Sequence, residues 1–153
     1  MRRVNLFIGS VAWTGLFPIA PATFTCAWLA LVLWLWAPGP WTLLLMLPPA
    51  LALSVPVASR MERDWGHDPG RCTIDELVGL LITFQGTILG GPGAWQLALA
   101  GFLLFRFFDI AKIWPASRLE SLPAGWGIVA DDVMAGIYSL IALRILDRWL
   151  PLG

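Results

Sequence analysis

From Val4 to Ser59 the sequence carries no Asp, Glu, Lys or Arg, and a second charge-free stretch runs from Leu77 to Phe105. Such gaps are hard to keep in a water-facing surface, where charged residues are normally spread over every exposed face. Histidine is nearly absent as well: His67 stands alone, which excludes a histidine-rich metal centre. Only two cysteines occur, Cys26 and Cys72, far apart and without CxxC spacing, so neither a zinc site nor a disulfide framework is indicated. Net charge is zero, so nothing suggests a nucleic-acid partner, which would want a basic face.

What is present is apolar. The hydrophobic share is 58% and the mean hydropathy is +0.75, above the balance of ordinary soluble domains. At 153 residues the chain is expected to form one domain over 1–153, an all-α, multi-helix integral membrane bundle. The start, "MRRVNLFIGSVAWTGLF", has the basic-then-apolar order of a signal peptide, but "PIAPATF" is a poor continuation for a secreted protein, so the segment is expected to be retained. In runs that are apolar all round, helical periodicity is faint, and proline and glycine must mark the boundaries. They place about five helical segments at 23–37, 41–58, 75–90, 93–110 and 131–150. Several are short for a bilayer core of about 30 Å. A soluble helical bundle with a greasy core is the competing reading; it suits the short helices but not the charge-free stretches.

If all five segments cross, the N-terminal stretch and the loops 59–75 and 110–131 share one face. That face holds Arg2, Arg3, Arg60, Arg63, Arg71, Arg106, Lys112 and Arg118, eight of the ten basic residues, and the positive-inside rule makes it cytoplasmic. The opposite short loops are uncharged and are flanked by Trp34, Trp36, Trp41 and Trp95, which suits interfacial anchoring or plain packing.

Nine of the ten acidic residues lie on that same face, and five of them sit at or next to expected helix ends: Asp75, Glu76, Asp109, Asp131 and Asp132. Carboxylates gathered beside a membrane, with no histidine or cysteine cluster, suit a hard cation such as Mg²⁺ and point to phosphate chemistry. In "RCTIDELVG", Thr73 and Glu76 have the spacing of a capping box, which would account for Glu76 but not Asp75. In "FRFFDIAK", Arg106, Asp109 and Lys112 recur at i, i+3 and i+6, on roughly one helical face. They form either a snorkelling ion-pair ladder or a carboxylate ligand between two phosphate-holding cations. In "VADDVMAG", one aspartate can cap the last helix, whereas two adjacent like charges favour a cation. Gly79 and Gly136, one turn beyond the acidic pairs, permit close helix approach. The loop "FPIAPATFTC" enters a helix whose first N–H groups, with the Thr23 and Thr25 hydroxyls, could receive an anion. Cysteine-phosphatase, DxDx(T/V), GxSxG and P-loop signatures are all absent.

Taken in order, these stretches resemble the phosphatidylglycerophosphatase A family of small bacterial enzymes. "FPIAPAT" resembles its P-x-APGT loop, "DELVG" its DExxG segment, "FRFFDIAKIWP" its FRxxDxxKPWP segment, and "AGWGIVADDVMAG" its GGxGIxxDDxxAG segment. The resemblance implies an all-helical, Mg²⁺-dependent phosphatase of the bacterial inner membrane, with its active-site loops and helix ends facing the cytoplasm. Such an enzyme removes the terminal phosphate of phosphatidylglycerol phosphate. Its catalytic and metal-binding residues would be Asp75, Glu76, Asp109, Asp131 and Asp132, and its phosphate-binding residues Thr23, Arg106 and Lys112. The chain departs from the family pattern at Ala22, Thr25, Cys26, Ile113 and Ala124, all in the loops that shape the pocket. Another lipid, an isoprenoid or a small phosphomonoester is therefore the alternative substrate class. A cation-pathway protein is a further reading, although the charges collect at one face rather than within the spans.

Overall fold

The computed structural model describes residues 2–66 and 69–149, and among these it contains seven α-helices, a single 3₁₀ turn at Thr14–Leu16 and no strand. The helices are α1 (Arg2–Gly9), α2 (Pro21–Trp36), α3 (Pro40–Trp65), α4 (Ile74–Thr83), α5 (Ala94–Ala111), α6 (Ala116–Leu119) and α7 (Gly125–Trp149). His67, and residue 150 at the end of the last expected segment, lie outside the described residues. The all-α expectation holds, with α1 and α6 added to the five segments expected.

Two segments keep both limits read from the sequence, and the other three each move at one end. Helices α2 and α5 begin and end within two residues of expectation. Helix α3 runs seven residues beyond 58 and absorbs Arg60, Glu62, Arg63 and Asp64. It does so despite Pro48, Pro49 and Pro56 in its interior, each of which removes one backbone N–H from the helical ladder. Helix α4 stops at Thr83 rather than 90. Gly86 takes a left-handed φ of 67°, and the Arg144 guanidinium of α7 donates to the Gln85 carbonyl at 2.6 Å, satisfying an acceptor that a longer helix would have used. Helix α7 starts at Gly125, six residues early. Its Gly125 N–H donates to Ser59 Oγ of α3 at 3.0 Å, so the helix start is satisfied from another element rather than by its own N-cap side chain.

Helix α7 is the hub, packed against α4, α5 and α3, while α2 lies on α5 and α1 on α3. Gly79 and Gly136 set the α4–α7 crossing. A Cβ at Gly136 would come within 2.6 Å of the Gly79 carbonyl oxygen, and one at Gly79 within 2.2 Å of the Phe105 ring. Around this crossing sits an apolar core that includes Val78, Leu80, Leu81, Phe84 and Phe105; a second cluster joins Val57, Ala58 and Met61 to Ile74, Ile128 and Val129.

Helices α3 and α5 are long and apolar enough to cross a membrane, and α2 is a shorter apolar helix. At about 1.5 Å per residue, α3 spans roughly 39 Å and α5 roughly 27 Å, against a hydrocarbon core of about 30 Å. Their outward faces are bare hydrocarbon: Trp41 (77% exposed), Leu44, Leu45 and Leu53 on α3, and Trp95, Leu99, Leu103 and Phe107 on α5. Exposed apolar faces of this extent suggest association with a membrane.

Candidate functional site

Three helix segments bring their polar residues to one cavity of about 230 Å³. From the first turn of α4 come Asp75 and Glu76, both buried. From α7 come Asp131 and Asp132, also buried. From the end of α5 come Asp109 and Lys112. The close α4–α7 crossing, with Gly79 one turn past Asp75 and Gly136 one turn past Asp132, is what holds the two acidic pairs against each other.

Neither capping explanation survives. Thr73 is the N-cap residue of α4, but it makes no side-chain cap bond, and its Oγ1 is buried without a hydrogen-bond partner. The expected capping box is therefore not formed, and Glu76 is among the residues lining the cavity. Because α7 starts at Gly125, Asp131 and Asp132 lie in its second turn, past the unpaired N–H groups that an acidic cap would serve.

Asp75, Glu76 and Asp132 each offer a carboxylate oxygen within 4.8 Å of the others. Carboxylates buried this close repel one another and have lost their hydration, a cost met only by a cation or by protons. One oxygen of Glu76, Oε2, is buried without a hydrogen-bond partner. An all-oxygen, buried acidic set with an unused acceptor fits a hard divalent ion such as Mg²⁺. Asp131 lies beside this triad. Its Oδ1 accepts the Asp132 backbone N–H at 3.0 Å, and its Oδ2 pairs with Lys112 Nζ at 3.2 Å.

Two cations attend the carboxylates in different ways. Arg106 does not line the cavity; it sits behind the acids, 2.5 Å from Asp109 Oδ2 and 3.8 Å from Glu76 Oε1, with Cys26 Sγ 3.9 Å away. Lys112 ends α5 in a left-handed conformation (φ 43°) at the cavity wall, where its ammonium donates to Glu120 Oε1 at 2.5 Å. Burial works to lower the Lys112 pKa, but the Glu120 hydrogen bond and the Asp131 charge outweigh it and hold the group above the ordinary lysine range. It stays charged.

Of the residues singled out from the sequence, Asp75, Glu76, Asp109, Asp131, Asp132 and Lys112 line this cavity. Thr23 does not; it is half-buried in the first turn of α2, next to Ala22, which does. Thr25 turns away, donating to Thr14 Oγ1 at 2.9 Å. Sequence reasoning missed Glu120 and Cys72 in the lining. Glu120 has no helical register with Lys112, since α5 ends and the short α6 intervenes, so no spacing rule could have paired them.

The family model described as phosphatidylglycerophosphatase A matches residues 7–147. A Bacteroides thetaiotaomicron protein, provisionally named a phosphatidylinositol-3-phosphatase, is 35% identical over 151 residues, covering 94% of this chain and 93% of its own length. A phosphatidylglycerophosphatase A of Escherichia coli is 33% identical over 144 residues, 92% of this chain and 81% of its own. One from Haemophilus influenzae is 42% identical over 86 residues, 55% of this chain and half of its own length. No solved structure matches the chain.

Proposed function

Because this chain belongs to the phosphatidylglycerophosphatase A family, we propose that it is a Mg²⁺-dependent lipid phosphatase that hydrolyses phosphatidylglycerol phosphate to phosphatidylglycerol and phosphate. The observation that carries this reading is the convergence of Asp75, Glu76 and Asp132 from two helices on one cavity that Lys112 also lines. Those three residues would hold the cation, which when bound would neutralise phosphate charge and lower the pKa of water. Asp109 and Asp131, next to the triad, are positioned to accept the proton of the attacking water. Lys112 binds the phosphate and stabilises the charge that develops on it. Arg106 fixes Asp109 and Glu76 from behind, and Ala22 in the first turn of α2 lines the cavity.

Helices α3 and α5 would cross the bilayer, with α2 and the apolar length of α7 alongside and the chain from 74 to 93 returning between them, placing the cavity at the cytoplasmic surface on the side of Arg2, Arg60 and Arg63. The substrate would reach the site from the membrane plane. A second substrate reading is supported by the provisional phosphatidylinositol-3-phosphatase name of the Bacteroides thetaiotaomicron relative, together with Ala22, a departure from the family pattern that lines the cavity: the lipid headgroup could be another phosphomonoester.

Phosphate release from phosphatidylglycerol phosphate, phosphatidylinositol-3-phosphate, an isoprenoid phosphate and a soluble phosphomonoester, with and without Mg²⁺, tests both. Metal-dependent turnover confined to phosphatidylglycerol phosphate is expected. Preference for another member of the panel moves the substrate, and cation flux without any turnover would replace the reading altogether.

A further inference from the structure

The cavity contains an ion pair that the proposed chemistry does not call on. Lys112 Nζ is 2.5 Å from Glu120 Oε1 and 3.2 Å from Asp131 Oδ2, and the lysine and glutamate side chains are each about a third exposed (33% and 38%). The phosphate-binding ammonium is thus already neutralised before any substrate arrives. An incoming phosphate must take it from one of these partners. Asp131 stands within the 25-residue α7, held by the Asp132 N–H, whereas Glu120 closes a four-residue helix flanked by turns. Glu120 is the partner able to yield.

We propose that Glu120 is a specificity-determining residue that competes with incoming anions for Lys112, so that a phosphomonoester dianion displaces it and a phosphodiester monoanion does not. This rests on the lipid-phosphatase reading. At pH 7 a phosphate monoester carries about −1.5 to −2 charges. A diester carries one, no more than the carboxylate it would have to displace. The distinction matters in a bilayer, where nearly every phospholipid headgroup, including the product phosphatidylglycerol, is a diester. An enzyme with a bare lysine at its mouth would be occupied by those headgroups. With Glu120 in place, only the more highly charged ester gains by entering.

The test uses the detergent-solubilised full chain as parent, Glu120→Gln, Lys112→Met and the double variant. Two quantities are read: inhibition of phosphatidylglycerol phosphate turnover by phosphatidylglycerol, and direct equilibrium binding of a fluorescent phosphatidylglycerol. A partly exposed ion pair contributes modestly, so Glu120→Gln should tighten diester binding about three- to fivefold, and lower the ratio of diester Ki to monoester KM by a similar factor. In the Lys112→Met background the same substitution should change diester binding little, because the carboxylate acts through the lysine. An unchanged ratio and unchanged binding in Glu120→Gln overturn the proposal, as does an equal effect with Lys112 removed. The binding arm needs no turnover. A parent that hydrolyses no phosphomonoester sinks the phosphatase reading, and the role of Glu120 is still decided by binding.

Discussion

The pair Asp131–Asp132 is the residue-scale puzzle of this chain, since neither aspartate caps a helix and both are buried among other carboxylates. Asp132 has Asp75, Asp109 and Asp131 as charged neighbours, an arrangement without stability value unless a cation binds there. Asp132→Asn keeps the shape and removes the charge, and should lower kcat by roughly a hundredfold or more; Asp109→Asn, which also removes the nearer of Arg106's two carboxylate partners, should be comparably severe. Phosphate release by purified variants measures this, and unchanged turnover in both would dismiss the assignment. Binding of the cation only to the folded protein should also raise thermal stability. Mg²⁺ is therefore expected to raise the unfolding midpoint of the chelator-treated parent and to have much less effect on Asp132→Asn; equal shifts would place the ion elsewhere. These charged residues were legible in the sequence because an apolar chain makes each remaining charge conspicuous. Their division of labour was not. That Arg106 stands behind the acids while Lys112 faces the cavity depends on the left-handed turn ending α5, which the i, i+3, i+6 spacing does not reveal.

At the scale of elements, the site exists because α4 and α7 cross at two glycines. Gly136→Ala would drive a methyl group into the Gly79 carbonyl and Cα of the opposing backbone, atoms that cannot rotate away. A loss of about 1–3 kcal/mol in stability is expected, with reduced activity as the acidic pairs are pushed apart. Gly39→Ala, with φ −66° and no atom within 4 Å, is the matched control that should change little. Thermal unfolding in detergent distinguishes them, and equal midpoints would mean that the crossing adapts. Both glycines could be read from the sequence as points of close approach, one turn beyond each acidic pair. The helix limits were read less well, for a common reason. Helix α2 is bounded by local signals, Pro21 at its start and the "APGP" stretch at its end, and its limits came out close. The start of α7 is satisfied by Ser59 and the end of α4 by Arg144, partners 66 and 59 residues away in sequence. A terminus completed by a distant element leaves no local mark.

For the whole molecule, the question is which way the cavity faces. Its charges and its greasy helices are segregated along the chain, and in the fold Arg2, Arg60, Arg63 and Asp64 share one surface depression, with the Arg2 guanidinium 3.5 Å from Asp64 and stacked over Trp65. Positive charge retained beside the span ends on one side is what orients a polytopic protein, and translocating it across the bilayer would cost several kcal/mol per arginine near the core. The turns at the other end, 37–40 and 90–93, have no charge to resist translocation. Ser121→Cys, on the exposed turn between α6 and α7, and Gly39→Cys, in the open turn before α3, report the two sides without disturbing the core. The native Cys26 and Cys72 thiols are buried and should give little background. In intact cells a membrane-impermeant thiol reagent is expected to label position 39 and to reach position 121 only after the membrane is opened. The reverse pattern would put the cavity outside. Labelling of both positions in intact cells would put them on one side of the membrane, and so would rule out the three crossings, through α3, residues 74–93 and α5, that set the cavity opposite position 39.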